Sequence, residues 1–410
     1  MAELRGVAYL RNKLNSKRNR VNLRYKYYEM KNIVRDFNIS TPPQLSWFTS
    51  CLGWCGTAVD ALADRLQVRG FKNDDFGLTE IFTQNNFDIM LDSAILGALI
   101  SSCDFIYIVP DNNGYPKMQV IDGGNATGTI DETTGLLFEG YAVLERDAET
   151  NQPTLEAYFE PYKTTYIYAN EWQRVFEHNV AYPLLVPIIY KPDARRPFGH
   201  SRITRSCMKL VDSAVRTLKR SEISAEFYSI PQKWITGLSQ EAEPMEKWKA
   251  TMSTMITFTK DKDGDSPTLG QFAQQSMTPH FEQVKLFASA FAGQTGLTLD
   301  DLGFPTENPS SAEAIKATHE TLRLTAKKAQ RQFASGIINA GMLASCLRDN
   351  FDYNRTAFSN TKVLWQPVFE PDYAGLSQIG DGAIKINQAI DGYFDVESLH
   401  DLTGIDPANR

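Results

Sequence analysis

The sequence predicts a mainly helical α+β protein of two or three domains, and three observations carry that expectation. A helical pattern without an internal proline runs from Ser311 to about Leu347, and a second long one runs from Gly199 to Tyr228. Between residues 104 and 190 the chain turns strand-rich. At 410 residues, with 42% hydrophobic and 22% charged side chains, the composition is that of a soluble chain able to bury real cores.

The longest pattern begins after Pro309 and Ser310. Ile315, Leu322, Ala326, Ala329, Phe333, Ile337 and Ala340 recur at steps of three, four or seven and form an apolar seam. Lys316, Arg323, Lys327 and Arg331 make a separate cationic stripe. At about 1.5 Å per residue such a rod reaches roughly 55 Å, more than one ordinary core requires. Gly336 and Gly341 are candidate bends.

Earlier in the chain, helical patterns cover Leu4 to Leu14, Tyr25 to Arg35, Trp47 to Gln67 and Asn86 to Ser101, with a break at Thr41 to Pro43. Asp104 to Val109, Thr164 to Tyr168 and Leu184 to Tyr190 read as strands, and Asp111 to Gly114 as a turn. Two prolines bracket a polar connector from Lys191 to Pro197, which marks a boundary. Past it, Arg202, Arg205, Lys209, Arg216 and Arg220 are spaced to share one face of the second long helix, with Lys219 beside them and only Asp212 opposing. That row suits a polyanion or an acidic neighbour, and a solvated stripe accounts for it equally. Pro231 closes the helix; a small unit with Gln232 to Thr236, a helical Pro244 to Met252 and Met255 to Thr259 follows, and Pro279 opens another helix through Phe291.

Charge is uneven. Residues 1 to 35 hold ten Lys or Arg against Glu3 and Glu29, a balance of +8 in a chain whose net charge is −7, so the remainder is acidic. The basic arm, with Tyr25, Tyr27 and Tyr28 interleaved, suits nucleic acid or an acidic partner as well as a solvated helix surface. The acidic body argues against tight duplex binding. The start lacks the apolar core of a signal peptide, and Asp92 and Asp104 interrupt the most apolar stretch, so neither secretion nor a membrane span is expected.

Catalytic motifs are missing. No phosphate-cradling glycine loop, zinc-protease helix or nucleophile elbow occurs, so no enzyme, cofactor or metal is implied. Asp261, Asp263 and Asp265 have the spacing of a calcium loop, but Ser266 and Phe272 occupy its glycine and glutamate positions, and a hairpin turn explains the run. Asn125 to Thr127 matches a glycosylation signal but reads as a surface turn. Five scattered cysteines, none in a CxxC pair, read as reduced thiols, and His200 as a capping or surface residue.

Five stretches in order, Asp60 to Phe71, Pro197 to Ile203, Ala225 to Gln232, Leu269 to Phe272, and Leu302 to Phe304 with Asn308 to Ile315, resemble the landmarks of tailed-bacteriophage portal proteins. The resemblance extends from about Tyr27 to the C-terminus. It implies a head-to-tail connector subunit in the virion, one of a homo-oligomeric ring, usually twelve-fold, at a single capsid vertex. The ring would be assembled in the host cytoplasm and would conduct double-stranded DNA during packaging and ejection. Terminase, the major capsid protein, a scaffold and a head-completion adaptor are the implied partners, with no membrane.

Under that resemblance residues 1–198 form the wing (helical 1–103, strand-rich 104–190), 199–228 and 279–295 the stem helices, and 229–278 the clip. Residues 296–310 form the channel loop, 311–349 the long wing helix, and 350–410 a strand and short crown. Channel-facing candidates are Arg202, Arg205, Lys209, Arg216, Lys219, Arg220, Asp300, Asp301, Phe304, Glu307 and Asn308; clip contact candidates are Trp234, Trp248, Asp261 and Asp263. Two alternatives remain open from sequence: a DNA-processing enzyme docked by its basic N-terminal arm, and a non-portal ring adaptor.

Overall fold

The computed structural model describes residues 4–35, 45, 47–170, 172–229, 233–236, 268–271, 276–305, 317–369, 373–403 and 405. Its centre is a three-stranded antiparallel sheet in the order β3 (Pro116–Ile121), β2 (Cys103–Pro110), β9 (Leu185–Ile189). Phe105 to Ile108 of β2 are all buried, as expected of a central strand covered on both faces. α4 (Phe87–Ser101) and α7 (Glu320–Asp349) pack on this sheet, and α2 (Trp54–Ala63) packs on α4.

Beside it lies a five-stranded meander, β4 (Ala126–Ile130), β5 (Leu137–Arg146), β6 (Pro153–Glu160), β7 (Lys163–Tyr168) and β8 (Gln173–Glu177), each paired antiparallel with the next. Aspartates build its turns: Asp131 Oδ1 accepts from the Thr133 N–H at 3.0 Å and Asp147 Oδ1 from the Thr150 N–H at 2.7 Å, as Asp111 Oδ1 does from the Asn113 N–H at 2.8 Å before β3. Of the meander only β7 was read from sequence, as Thr164 to Tyr168; β4, β5 and β6 interrupt their apolar residues with Gly128, Glu139, Gly140 and Glu156, which leaves no continuous apolar run.

The N-terminal segment differs from expectation. In place of two helices there is one, α1 (Val7–Tyr28), and the expected Tyr25 to Arg35 helix stops where Met30 takes a φ of 59°. Nor is α1 a free basic arm. Leu10 and Leu14 pack with Tyr141, Val143 and Tyr158 of the meander, Arg11 pairs with Glu156, and the Lys13 ammonium donates to the Gly128 carbonyl at 2.7 Å. Lysine and arginine stems cover apolar surface here while their heads find acceptors.

The Trp47 to Gln67 pattern shortens to α2, α3 (Leu78–Gln84) precedes α4, and the break at 41–43 lies outside the described residues. β1 (Val68–Lys72) pairs antiparallel with the distant β12 (Lys362–Trp365). After it, α8 (Tyr373–Ala389) and α9 (Val396–Thr403) pack on one another.

The long helical pattern expected from Ser311 is described only from residue 317 and becomes α7, Glu320–Asp349. α7 has 30 residues, about 45 Å at 1.5 Å per residue, and from Ile337 to Cys346 it is buried all round. Its length is used in crossing the body, with only the first half amphipathic. A Cβ at Gly336 would lie 3.0 Å from the Pro187 carbonyl, and one at Gly341 2.9 Å from Leu78, so the two glycines admit close packing on β9 and α3, a role that the expectation of bends did not include.

One buried pair gives the fold a pH signature. Asp104 accepts from the Ser101 hydroxyl at 2.8 Å and the Gly123 N–H at 2.9 Å, yet burial raises its carboxyl to about 7. The Lys17 ammonium, over the rings of Phe105 and Phe198, is lowered to about 8, again by burial. A raised carboxyl binds its proton in the folded state first, so its contribution declines as pH rises from about 4 to about 7. A lowered lysine acts oppositely, and its contribution recovers from about 8 to about 10. Urea midpoints measured against pH should therefore fall through the acid window, and Asp104→Asn should flatten that limb; an unchanged slope in the variant would contradict the assignment.

Candidate functional site

The two predicted stem helices pack as an antiparallel hairpin. α5 (Arg205–Ser229) and α6 (Thr278–Thr295) meet along Cys207, Val211, Ala214 and Val215 of the first and Val284, Ala288, Phe291 and Ala292 of the second. Arg202, just before α5, reaches Thr295 at the end of α6, while Thr217 further along α5 donates to Gln283 Oε1 at 3.0 Å near the start of α6, which fixes the opposite chain directions. Phe291 stacks obliquely on Trp54 of α2 at 5.7 Å and joins the hairpin to the body.

The predicted cationic row is divided. Arg202 is buried: its Nε donates to the Ala58 carbonyl and an Nη to the Thr295 carbonyl at 2.8 Å. It is therefore withdrawn from the channel-facing set, because its charge caps the C-terminal carbonyl of α6 and ties it to α2. The expectation failed because helix spacing was extended over a residue that precedes the helix. Arg205 is exposed; Lys209 is exposed and sits 3.4 Å from the buried Asp212, which also accepts from the Tyr27 hydroxyl at 2.6 Å. Arg216 donates to the Ser213 hydroxyl at 2.9 Å, and Arg216, Lys219 and Arg220 are half-buried.

After α6, Gly296 with a φ of 71° and Gly303 with a φ of 87° frame a short 3-10 turn, Asp300–Leu302. Asp300 is exposed, whereas Asp301 organises the turn: its Oδ2 accepts from the Thr298 N–H at 2.8 Å and hydroxyl at 2.9 Å, with His319 Nδ1 at 3.8 Å. Phe304 is half-buried against Phe281 at 5.9 Å. In the clip segment β10 (Lys233–Thr236) and β11 (Thr268–Gln271) pair antiparallel. Trp234 is 38% exposed and lies on Gly270, where a Cβ would come within 2.2 Å of the indole. Glu307, Asn308, Trp248, Asp261 and Asp263 lie outside the described residues, as do residues 244–252 and 255–259.

Sequence reasoning missed a cleft of about 790 Å³ at the base of the hairpin. Arg205 and Lys209 meet there with Arg20 and Arg24 of α1, Arg196 of the connector and Lys328 of α7. The visible signal was Arg20 and Arg24 one turn apart, but nothing in the sequence joins them to residue 328. At its rim Asp193 Oδ2 holds His200 Nε2 at 2.6 Å, which makes His200 a structural partner. Among the described residues, no group of His, Cys, Asp and Glu could hold a metal ion, and no helix is long and apolar enough to cross a membrane.

A mixed helix-and-sheet body carrying an antiparallel helical hairpin, with a small β-pair at the hairpin's far end, is a portal-type fold. Comparison with known proteins agrees in sequence and in shape. The chain is 24% identical over 383 residues to the portal protein of Mycobacterium phage D29, covering 88% of this chain and 77% of that protein. It is 23% identical over 385 residues to the portal protein of Mycobacterium phage L5, with the same coverage. Among solved structures, a chain from the neck of an empty gene transfer agent particle, computed with C6 symmetry, superposes with a TM-score of 0.50 at 12% identity, covering 86% of this chain and 90% of that one. No family model matches the chain. The chain is thus a homologue of phage portal proteins.

Proposed function

We propose that this chain is a portal protein, one subunit of a closed ring at a single capsid vertex that conducts double-stranded DNA during packaging and ejection. The observation that carries the reading is similarity to two phage portal proteins along 88% of the chain. The antiparallel hairpin of α5 and α6 supports it, because such a hairpin supplies a wall but no enclosed catalytic cleft. The role is structural; the named relatives favour neither a DNA-processing enzyme nor another ring adaptor.

In this reading residues 1–198 with α7 form the wing, α5 and α6 the stem, β10 and β11 part of the clip, and residues 296–310 the loop toward the bore. Lys209, Arg216, Lys219, Arg220, Asp300 and Phe304 are the candidates to face DNA. Carboxylates on the loop repel phosphate while sparse, screened cations offer weak contacts, a balance that lets a duplex slide. Trp234 is the clip's candidate contact for terminase and later for a head-completion protein. Negative-stain images and native mass of the purified full chain test the ring: we expect closed rings of about twelve copies with an axial hole, the number the portal resemblance implies and closure the symmetry rule for cyclic assemblies. A folded chain that stays monomeric at high concentration would overturn it.

A further inference from the structure

Among the described residues, cations outnumber carboxylates in the cleft at the base of the hairpin. Arg20, Arg196, Arg205 and Lys328 on its walls are exposed, and among the described residues Asp193 is its only lining carboxylate. Among the described residues, Arg20, Arg205 and Lys328 have no hydrogen-bond or ion-pair partner, while Asp193 is engaged by His200. The cations also act on one another. The Arg24 guanidinium, which donates to the Ser101 carbonyl at 2.7 Å, is lowered to about 10, by burial first and then by Arg20 and Arg196. Like charges gathered in a concave surface are held there at a cost that an anionic partner removes.

The same chain carries the complement elsewhere. Asp64 at the end of α2 and Asp88 and Asp92, one turn apart on α4, are exposed and have no side-chain hydrogen-bond or ion-pair partner among the described residues. They crowd each other: the Asp92 carboxyl is raised by burial, then by Asp88 and Asp64. Ile89 stands between them at 76% exposure. A concave basic patch and a convex acidic one on different elements of one chain are the unlike halves a head-to-tail contact needs, and a ring that closes is built from such contacts. A duplex is the poorer occupant, since the rest of the surface carries the excess negative charge of a chain at −7 overall.

We propose that the cleft formed by Arg20, Arg24, Arg196, Arg205 and Lys328 receives the Asp64, Asp88 and Asp92 face of the next copy of this chain. This rests on the ring reading above and names the surface through which neighbours recognise each other. Charge steers the encounter and fixes its register, and Ile89 adds apolar contact once the acids are seated.

Charge exchange tests it on the full-length chain. One variant carries Arg20→Glu with Arg205→Glu, the other Asp88→Lys with Asp92→Lys; all four positions are exposed and unpaired among the described residues, so both variants should melt like the parent. Each alone should need at least about tenfold more protein for half-assembly, a shift of one decade in the dissociation constant per contact. Mixed in equal amounts they should form rings again, because in an alternating ring the reversed cleft of one variant meets the reversed face of the other while the second's native cleft meets the first's native acidic face, and a chain carrying all four changes should assemble like the parent. Parent rings with unimpaired variants, or a mixture that fails to recover, would overturn this inference and leave the ring intact. A parent that forms no ring overturns both. Rings of normal stability in which Arg20→Glu with Arg205→Glu loses salt-dependent binding of duplex DNA would reassign the cleft to phosphate.

Discussion

Gly199→Ala is expected to destabilise this protein severely. Gly199 has a φ of 74°, and a Cβ there would lie 2.1 Å from the Tyr190 carbonyl oxygen and 2.8 Å from Ile189 Cγ2. The close approach is enforced from both sides, because the Gly199 N–H donates to the Arg196 carbonyl at 2.8 Å and the His200 N–H to Tyr190 at 2.9 Å. Left-handed backbone alone costs an alanine about 1–2 kcal/mol. Displacing backbone at the join between β9 and the hairpin takes the total beyond about 4 kcal/mol, in the range reserved for buried strain. Gly114→Ala is the control: its φ is 82° but no atom lies within 4 Å of the added carbon, so only the backbone cost of about 1–2 kcal/mol applies. Urea denaturation should separate the two variants clearly, and equal midpoints would refute the clash.

Arg202→Met is expected to come second. The change leaves the carbonyls of Ala58 and Thr295 without their donor in a buried place. Hydrogen bonds to a charged group contribute about 1.5–3 kcal/mol each, so losing the two costs about 3–6 kcal/mol. Lysine should not rescue it, since one ammonium cannot fork to two acceptors in fixed directions as a guanidinium does. Arg205→Met, three residues on and exposed, should leave the denaturation midpoint where it was. Were Arg202 a bore residue, the two variants would be equally stable and differ only in the ring.

The sequence made some of this legible and hid the rest for identifiable reasons. α4, α5, α6 and α7 were readable because each repeats apolar residues at helical steps, and β2 and β9 because a buried central strand reads as a short continuous apolar run. α1 was split in two because its buried side is lined by lysine and arginine stems, which a pattern of apolar residues passes over. Most of the meander was hidden because polar residues and glycine break up its apolar runs, although Asp131 and Asp147 open two of its turns by the side-chain device that Asp111 uses between β2 and β3, and a search for that device would have placed both connections. The packing role of Gly336 and Gly341 was not legible, since a helix glycine looks the same in sequence whether it bends or admits a neighbour. The cleft was out of reach: its walls come from residues 20 to 328, and only the fold sets them side by side.

The pairing of Val68–Lys72 with Lys362–Trp365 bears on when this protein becomes complete. A strand made early in synthesis must wait for a partner that leaves the ribosome almost three hundred residues later, and such distant pairings are slow to form. A chain broken off before residue 362 leaves that first strand with a bare edge, open to the wrong company. The later strand therefore works as a clasp: only a polypeptide translated through Trp365 can fasten Val68–Lys72.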